Sequence, residues 1–158
     1  MTKPVSRRSA LLAAPVVVAG GILAAQGTAA ADDPVEILFT GHRKLDTFPA
    51  QPTAGTTFTV YLELTNPFGH LVGDGSIRAT IIDVVGSGPP RVLVQSSLVF
   101  RFSAGDVHGS AMHTWLAPSG TVHTMAITGG TGAYRTSRGD GGFRQDSADQ
   151  TAFWLALS

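Results

Sequence analysis

The stretch "ITGGTGAYRTSRGDG", Ile127 to Gly141, places glycines and a threonine ahead of a tyrosine and two arginines. It can be read as a phosphate-binding loop that opens a helix, or as a turn that sends one strand back along the next. The two readings lead to different folds. A loop of the Walker type needs Lys and then Ser or Thr directly after its last glycine, whereas Gly132 is followed by Ala133 and Tyr134. A dinucleotide-binding fingerprint needs a third glycine where Arg135 stands and a helix after it, and Gly139, Gly141 and Gly142 oppose that helix. What remains is a tight reversal between two strands, with glycines in backbone conformations that other residues avoid.

The rest of the chain agrees with strands. Apolar residues recur with a period of two, and Gly, Pro, Asn and Asp interrupt them at short intervals. In "RVLVQSSLVFRFS" Val92, Val94, Leu98, Phe100 and Phe102 share one face, while Arg91, Gln95, Ser97 and Arg101 share the other. "TTFTVYLEL" does the same with Phe58, Val60, Leu62 and Leu64 against Thr57, Thr59, Tyr61 and Glu63. The remaining predicted strands are Val35 to His42, Ser76 to Val85, Val107 to Leu116, Thr121 to Thr128, Ser137 to Gln145 and Thr151 to Leu157. Between the strands lie "NPFGHLVGDG", "GSGPP", "SAG", "APSG" and "GGTG", all with turn chemistry and none long enough for a crossover helix. The chain thus reads as all-β, with about eight strands in meander order. They either close into an antiparallel up-and-down barrel or stack as a β-sandwich; strand count and spacing alone do not separate the two.

The first 31 residues read differently. Lys3, Arg7 and Arg8 precede an apolar run from Ala10 to Ala25, and Ala29-Ala30-Ala31 supplies small residues for cleavage, which predicts a signal peptide cut before Asp32. "SRRSALL" resembles the twin-arginine export motif. The expected mature chain, residues 32–158, is one domain, secreted to the extracellular space or the cell envelope, with no stable membrane span after cleavage. The leader takes three of the eleven basic residues and no acidic one, leaving eight against eleven, a formal charge of −3. That balance argues against a nucleic-acid partner, which demands a basic face. With no cysteine, the domain has no disulfides, no thiol redox chemistry and no thiolate-bound zinc. No Gly-x-Ser-x-Gly nucleophile elbow occurs.

Two segments carry a family resemblance. "AITGGTGAYRTSRGDGGF" resembles the part of plant dirigent proteins where an apolar strand runs into Gly-Gly-Thr-Gly, an aromatic and an Arg-Gly pair. "FSAGDVHGSAMH" resembles their Phe-x-x-Gly-x-x-x-Gly-Ser strand, with Phe102, Gly105, Gly109 and Ser110 in the matching places. Both are also similar to allene oxide cyclases, and together they cover roughly residues 98 to 145. The resemblance implies an eight-stranded calycin-like barrel with an apolar pocket at one end, often a trimer, so a homo-oligomer (trimer or dimer) is expected. It implies no cofactor and no metal, and an activity that guides a reactive hydrophobic small molecule through cyclisation, isomerisation or stereoselective coupling. In such a site restricted geometry supplies most of the effect and a few polar groups steer charge. The chain departs from the dirigent pattern in having no cysteine for a disulfide and Ala133 where a pocket acid would stand.

Five residues are candidates for the site. Glu36 on the first strand pairs with Ile37 as in the cyclases and is the expected catalytic carboxylate; its alternation with Leu38, opposite Ile37 and Phe39, also fits a solvated charge on the outer face. Arg138, in the Arg-Gly pair, is the second expected catalytic residue, able to hold a phenolate or carboxylate, or is a surface arginine beside the turn. Tyr134 is either a ligand contact or a plug at the barrel end. His113 shares a face with Val107, Gly109, Ala111 and Trp115, as a ligand-binding group or a hydrogen-bonded core residue. Asp83 interrupts the face of Ile77, Ala79, Ile81 and Val85, pointing into the pocket mouth or starting the next turn. His42, His70, His108, His113 and His123 show no metal-ligand spacing on one element. A non-catalytic lipocalin-like carrier and a cell-envelope structural protein stand as alternatives to a cyclase or isomerase.

Overall fold

The computed structural model describes residues 34–86, 91–115 and 117–158. The expected leader and the tip of the "GSGPP" turn lie outside these residues. Eight strands follow one another: β1 (Val35–Asp46), β2 (Thr57–Thr65), β3 (Leu71–Val85), β4 (Arg91–Phe102), β5 (Gly105–Trp115), β6 (Val122–Gly130), β7 (Gly139–Gln145) and β8 (Gln150–Leu157). Each pairs antiparallel with the next, and β8 pairs with β1 from Val35↔Leu157 to His42↔Gln150, so the sheet closes into an up-and-down barrel. The choice between barrel and sandwich is thereby settled. Closure leaves neither terminal strand with an open edge.

The period-two patterning decides what fills the barrel. Phe58, Val60, Leu62 and Leu64 of β2 and Val92, Val94, Leu98 and Phe100 of β4 are all buried, together with Ser96, while Thr57, Thr59, Tyr61 and Glu63 of β2 and Arg91, Gln95, Ser97 and Arg101 of β4 lie on the other face. In β3 a bulge between Ile81 and Asp83 resets the alternation: Val84 pairs with buried Val92, and Asp83 and Val85 turn to the outside. The expected face ending in Val85 is corrected accordingly. Position 83 does not begin the turn either, since β3 runs on to Val85.

The connection between β2 and β3 is shorter than "NPFGHLVGDG" suggests. Asn66 Oδ1 accepts from the backbone N–H groups of Phe68 and His70, both at 3.0 Å, and Gly69 takes a φ of 81°. The reversal is complete by His70, so Gly73 and Gly75 belong to β3, where a side chain on Gly73 would meet the Arg101 carbonyl of the adjacent strand.

The two ends of the barrel are built differently. One end holds the β2–β3, β4–β5 and β6–β7 connections and both ends of the described chain. Here Phe39 stacks on Phe153 with ring centres 5.1 Å apart and meets Phe100 and Phe102 edge-on at 4.9 and 5.4 Å. The Gly-Gly-Thr-Gly reversal closes this end. Thr131 N–H donates to the Asp106 carbonyl and its hydroxyl accepts from Asp106 N–H, both at 2.9 Å, and a 3-10 turn over Gly132–Tyr134 follows. Gly132 has a φ of +55°, a left-handed conformation that glycine adopts freely. The stretch is a strand reversal, as its residues indicate.

Candidate active site at the barrel mouth

The opposite end is where β1, β3, β5 and β7 finish, and a cavity of about 30 Å³ lies beneath it. Its floor is apolar, formed by Val60, Leu62, Ile77, Leu98 and Phe143, and its upper wall carries His113, Trp115, His123 and Arg43. That volume accommodates one or two water molecules, whereas pockets for drug-sized ligands have several hundred cubic ångströms. The mouth is therefore closed. Phe48, from the loop between β1 and β2, closes it by stacking on Trp115 at 6.0 Å and 21° while meeting Phe58 edge-on at 5.0 Å.

Strand parity brings these side chains inward. Arg43 has the same parity as Phe39 and Gly41 on β1, and it pairs with inward-facing Leu62 before a bulge displaces the next residues. His123 has the parity of Met125 and Ile127 on β6. His113 and Trp115 continue the buried face of Val107, Gly109 and Ala111 on β5. The ladder between β5 and β6 runs from Val107↔Gly130 to Ser110↔Ala126 and stops there. Consequently the two strands that carry His113 and His123 part as they approach the mouth, and their rings stand 5.1 Å apart across the gap.

His113 is 7% exposed, and its Nε2 lies 3.0 Å from the hydroxyl of fully buried Ser96. Its Nδ1 is 3.4 Å from the Thr114 carbonyl, which can only accept, so the tautomer protonated at Nδ1 satisfies both contacts and takes the Ser96 proton at Nε2. Burial, reinforced by neighbouring His123, lowers its pKa from 6.5 to about 4, which leaves it neutral at physiological pH. Burial lowers His123 as well. The Arg43 guanidinium sits 5.6 Å from the centre of the Trp115 ring and donates to Asp46 at 2.8 Å, so its charge is balanced locally. Trp115 is 8% exposed, and its indole N–H is the buried side-chain polar group without a hydrogen-bond partner among the described residues. An unsatisfied buried donor costs about 1–3 kcal/mol.

Of the five residues singled out from sequence, the structure brings only His113 to this cavity. Glu36 is exposed on the outer face of β1, beside Leu38, which is 53% exposed, while Phe39 points in. Arg138 is exposed at the closed end, where its Nη1 donates to the Ser137 carbonyl at 2.8 Å and its backbone pairs with Ser158. Tyr134 belongs to the same end, half-buried and edge-on to Phe102 at 6.1 Å, the place of a plug. Asp83 is exposed on the β3 bulge, accepting from Val84 N–H at 2.8 Å. Arg43, His123 and Ser96 were absent from the expected site, although each has the parity of its strand's buried set. No cluster of three metal-ligating side chains occurs among the described residues.

No protein-family model matches the sequence, and no curated protein matches it. Solved structures do match. A pyocyanin demethylase aligns with a TM-score of 0.63 at 21% identity over 78% of this chain and 100% of its own. An exo-specific intermolecular Diels-Alderase aligns at 0.60 and 16% over 80% of this chain and 98% of its own. A pterocarpan synthase dirigent protein aligns at 0.59 and 17% over 80% and 96%. The fold is that of the dirigent and cyclase barrels. The allene oxide cyclase-like, dirigent-like architecture indicated by Gly129–Gly132 and the Phe102–Ser110 strand is thus present. At these identities the likeness is one of fold alone, and a function for this chain has to be argued from its own residues. The mouth offers an apolar floor, two imidazoles whose pKa burial lowers, the unpartnered indole N–H of Trp115, the side chains of Thr114, Gln145 and Thr151, and a locally neutralised cation. Such a lining suits an uncharged, largely apolar molecule.

Proposed function

We propose that this barrel acts outside the cell membrane as a cofactor-independent guide for a hydrophobic small molecule, holding it at the mouth while it cyclises, isomerises or couples. The observation that carries this reading is the joining of an apolar cavity to a cluster of neutral polar side chains, His113, His123 and Trp115, at one end of a cyclase-type barrel. The Arg7-Arg8 leader motif supports export. His113 and His123 both line the cavity, so a molecule held there would lie beside two groups able to move or hold a proton, with the cavity wall restricting its conformation.

Substoichiometric protein incubated with an organic extract of the producing culture, followed by liquid chromatography and mass spectrometry, tests the reading. A compound lost over many turnovers, replaced by an isomer of equal mass and slowed by His113→Gln or His123→Gln, is the expected result. Glu36→Gln and Arg138→Ala provide the comparison: slowing by these two alone would place the site elsewhere on the barrel. A compound that co-purifies unchanged at no more than one per chain would make the protein a carrier.

A further inference from the structure

Trp115 has no role assigned by the fold, yet it is the residue where the mouth is incomplete. Its indole N–H can only donate, and it is buried without an acceptor among the described residues. Three of the polar contacts around it are already made: His113 Nε2 has Ser96, His113 Nδ1 has the Thr114 carbonyl, and Arg43 has Asp46. The indole is held firmly for a donor that bonds to nothing, with Phe48 stacked on it, Phe58 edge-on at 4.7 Å and the Arg43 guanidinium over its ring. A cation over the ring draws electron density from the nitrogen and strengthens the N–H as a donor. Buried donors in folded proteins are nearly always paired, and the cavity that Trp115 lines is otherwise apolar at its floor.

We infer that Trp115 is the anchor for a hydrogen-bond-accepting oxygen on the ligand, and that the mouth selects unsaturated carbonyl compounds over hydrocarbons of the same shape. The inference rests on the mouth being the ligand site, as proposed above, but it does not require turnover. A neutral oxygen fits better than a carboxylate, because Asp46 already balances Arg43 and the flanking imidazole of His113 is uncharged.

Two probes of matched shape, 1-indanone and indane, differ by one carbonyl oxygen. The chain has two tryptophans, Trp115 and Trp154, so a nitrogen-15 spectrum of the full chain contains two indole N–H signals, and Trp154→Phe identifies the Trp115 signal. Indanone is expected to bind about tenfold more tightly than indane and to move the Trp115 N–H resonance downfield, and Trp115→Phe is expected to remove that preference, so that the two probes bind the variant with equal affinity. Equal affinities with the Trp115 resonance unmoved would overturn the anchor and leave the mouth as a ligand site. Failure of both probes to bind, to the natural chain and to a Phe48→Ala variant alike, would overturn the anchor and the mouth together. Because the resonance is read on a chain with Trp115 intact, a folding defect in Trp115→Phe does not blunt the test.

Discussion

At the residue scale, His113 shows most directly how burial sets chemistry. Its pKa in the folded chain, about 4, lies below the value of about 6.5 for an unfolded chain. The unfolded chain therefore takes up the proton first as pH falls. Above pH 6.5 both states are neutral there and the group costs nothing; between 6.5 and about 4 stability declines, by up to about 3 kcal/mol from this residue. His123 acts in the same direction. Urea unfolding followed from neutral pH down to about 4 should show this decline, and His113→Gln, which keeps a partner for Ser96 but does not titrate, should flatten it. An unchanged slope in His113→Gln would assign the acid sensitivity to other groups. His113 was legible in the sequence because its strand alternates cleanly. Glu36 lies on the outer face that the alternation of Leu38 against Phe39 gives it, and not inward as its resemblance to the cyclase Glu-Ile pair implied; strand parity is the stronger physical constraint. The same parity, applied to Arg43 and His123, places both inside the barrel.

At the element scale, the mouth depends on two features that alternation does not encode. One is the loop between β1 and β2, which lays Phe48 on Trp115; nothing in "TFPAQPTAG" states which way its single aromatic ring will point. The other is the end of the β5–β6 ladder at Ser110↔Ala126, beyond which the strands can separate without breaking interstrand hydrogen bonds. A ligand larger than the cavity of about 30 Å³ would enter the proposed site only if Phe48 lifted away and the seam widened. Phe48→Ala should therefore speed the binding of an apolar fluorescent probe, read by stopped-flow, at a stability cost well below the 3–5 kcal/mol typical of a fully buried phenylalanine, because Phe48 is only half-buried. Equal association rates in the variant and the natural chain would show that the ligand passes elsewhere. The bulge at Ile81/Asp83 was illegible for a related reason. An inserted residue leaves the composition of a strand intact and changes only which side chains oppose its neighbour, so Asp83 read as an interruption of an inward face when the face had shifted to Val84.

At the scale of the whole molecule, eight short alternating strands and turns too brief for helices already point to a closed or stacked β structure; the choice between them lies in the pairing of the first strand with the last. That pairing joins residues more than a hundred positions apart and has no local signature. In the barrel, the seam is secured from inside by Phe153, which stacks on Phe39 across the β1–β8 boundary, meets Phe100 at 5.0 Å and Phe143 at 5.8 Å, and leaves no room for a side chain at Gly41. One ring thus contacts side chains from β1, β4 and β7 while belonging to β8. Phe153→Ala should cost about 3–5 kcal/mol, since it removes a buried aromatic ring and leaves a cavity bordered by rigid strands that cannot collapse into it. Two readouts separate a lost seam from a merely weakened core. A fall in the urea midpoint at constant m-value means a closed barrel that is less stable, whereas a reduced m-value with increased concentration-dependent association means that β1 and β8 have come apart and exposed their edges. The closed, weakened barrel is the expected result, because the β1–β8 ladder from Val35↔Leu157 to His42↔Gln150 persists without the ring. A loss under 1 kcal/mol would show instead that the register of that ladder, and not the aromatic cluster, is what keeps the barrel shut.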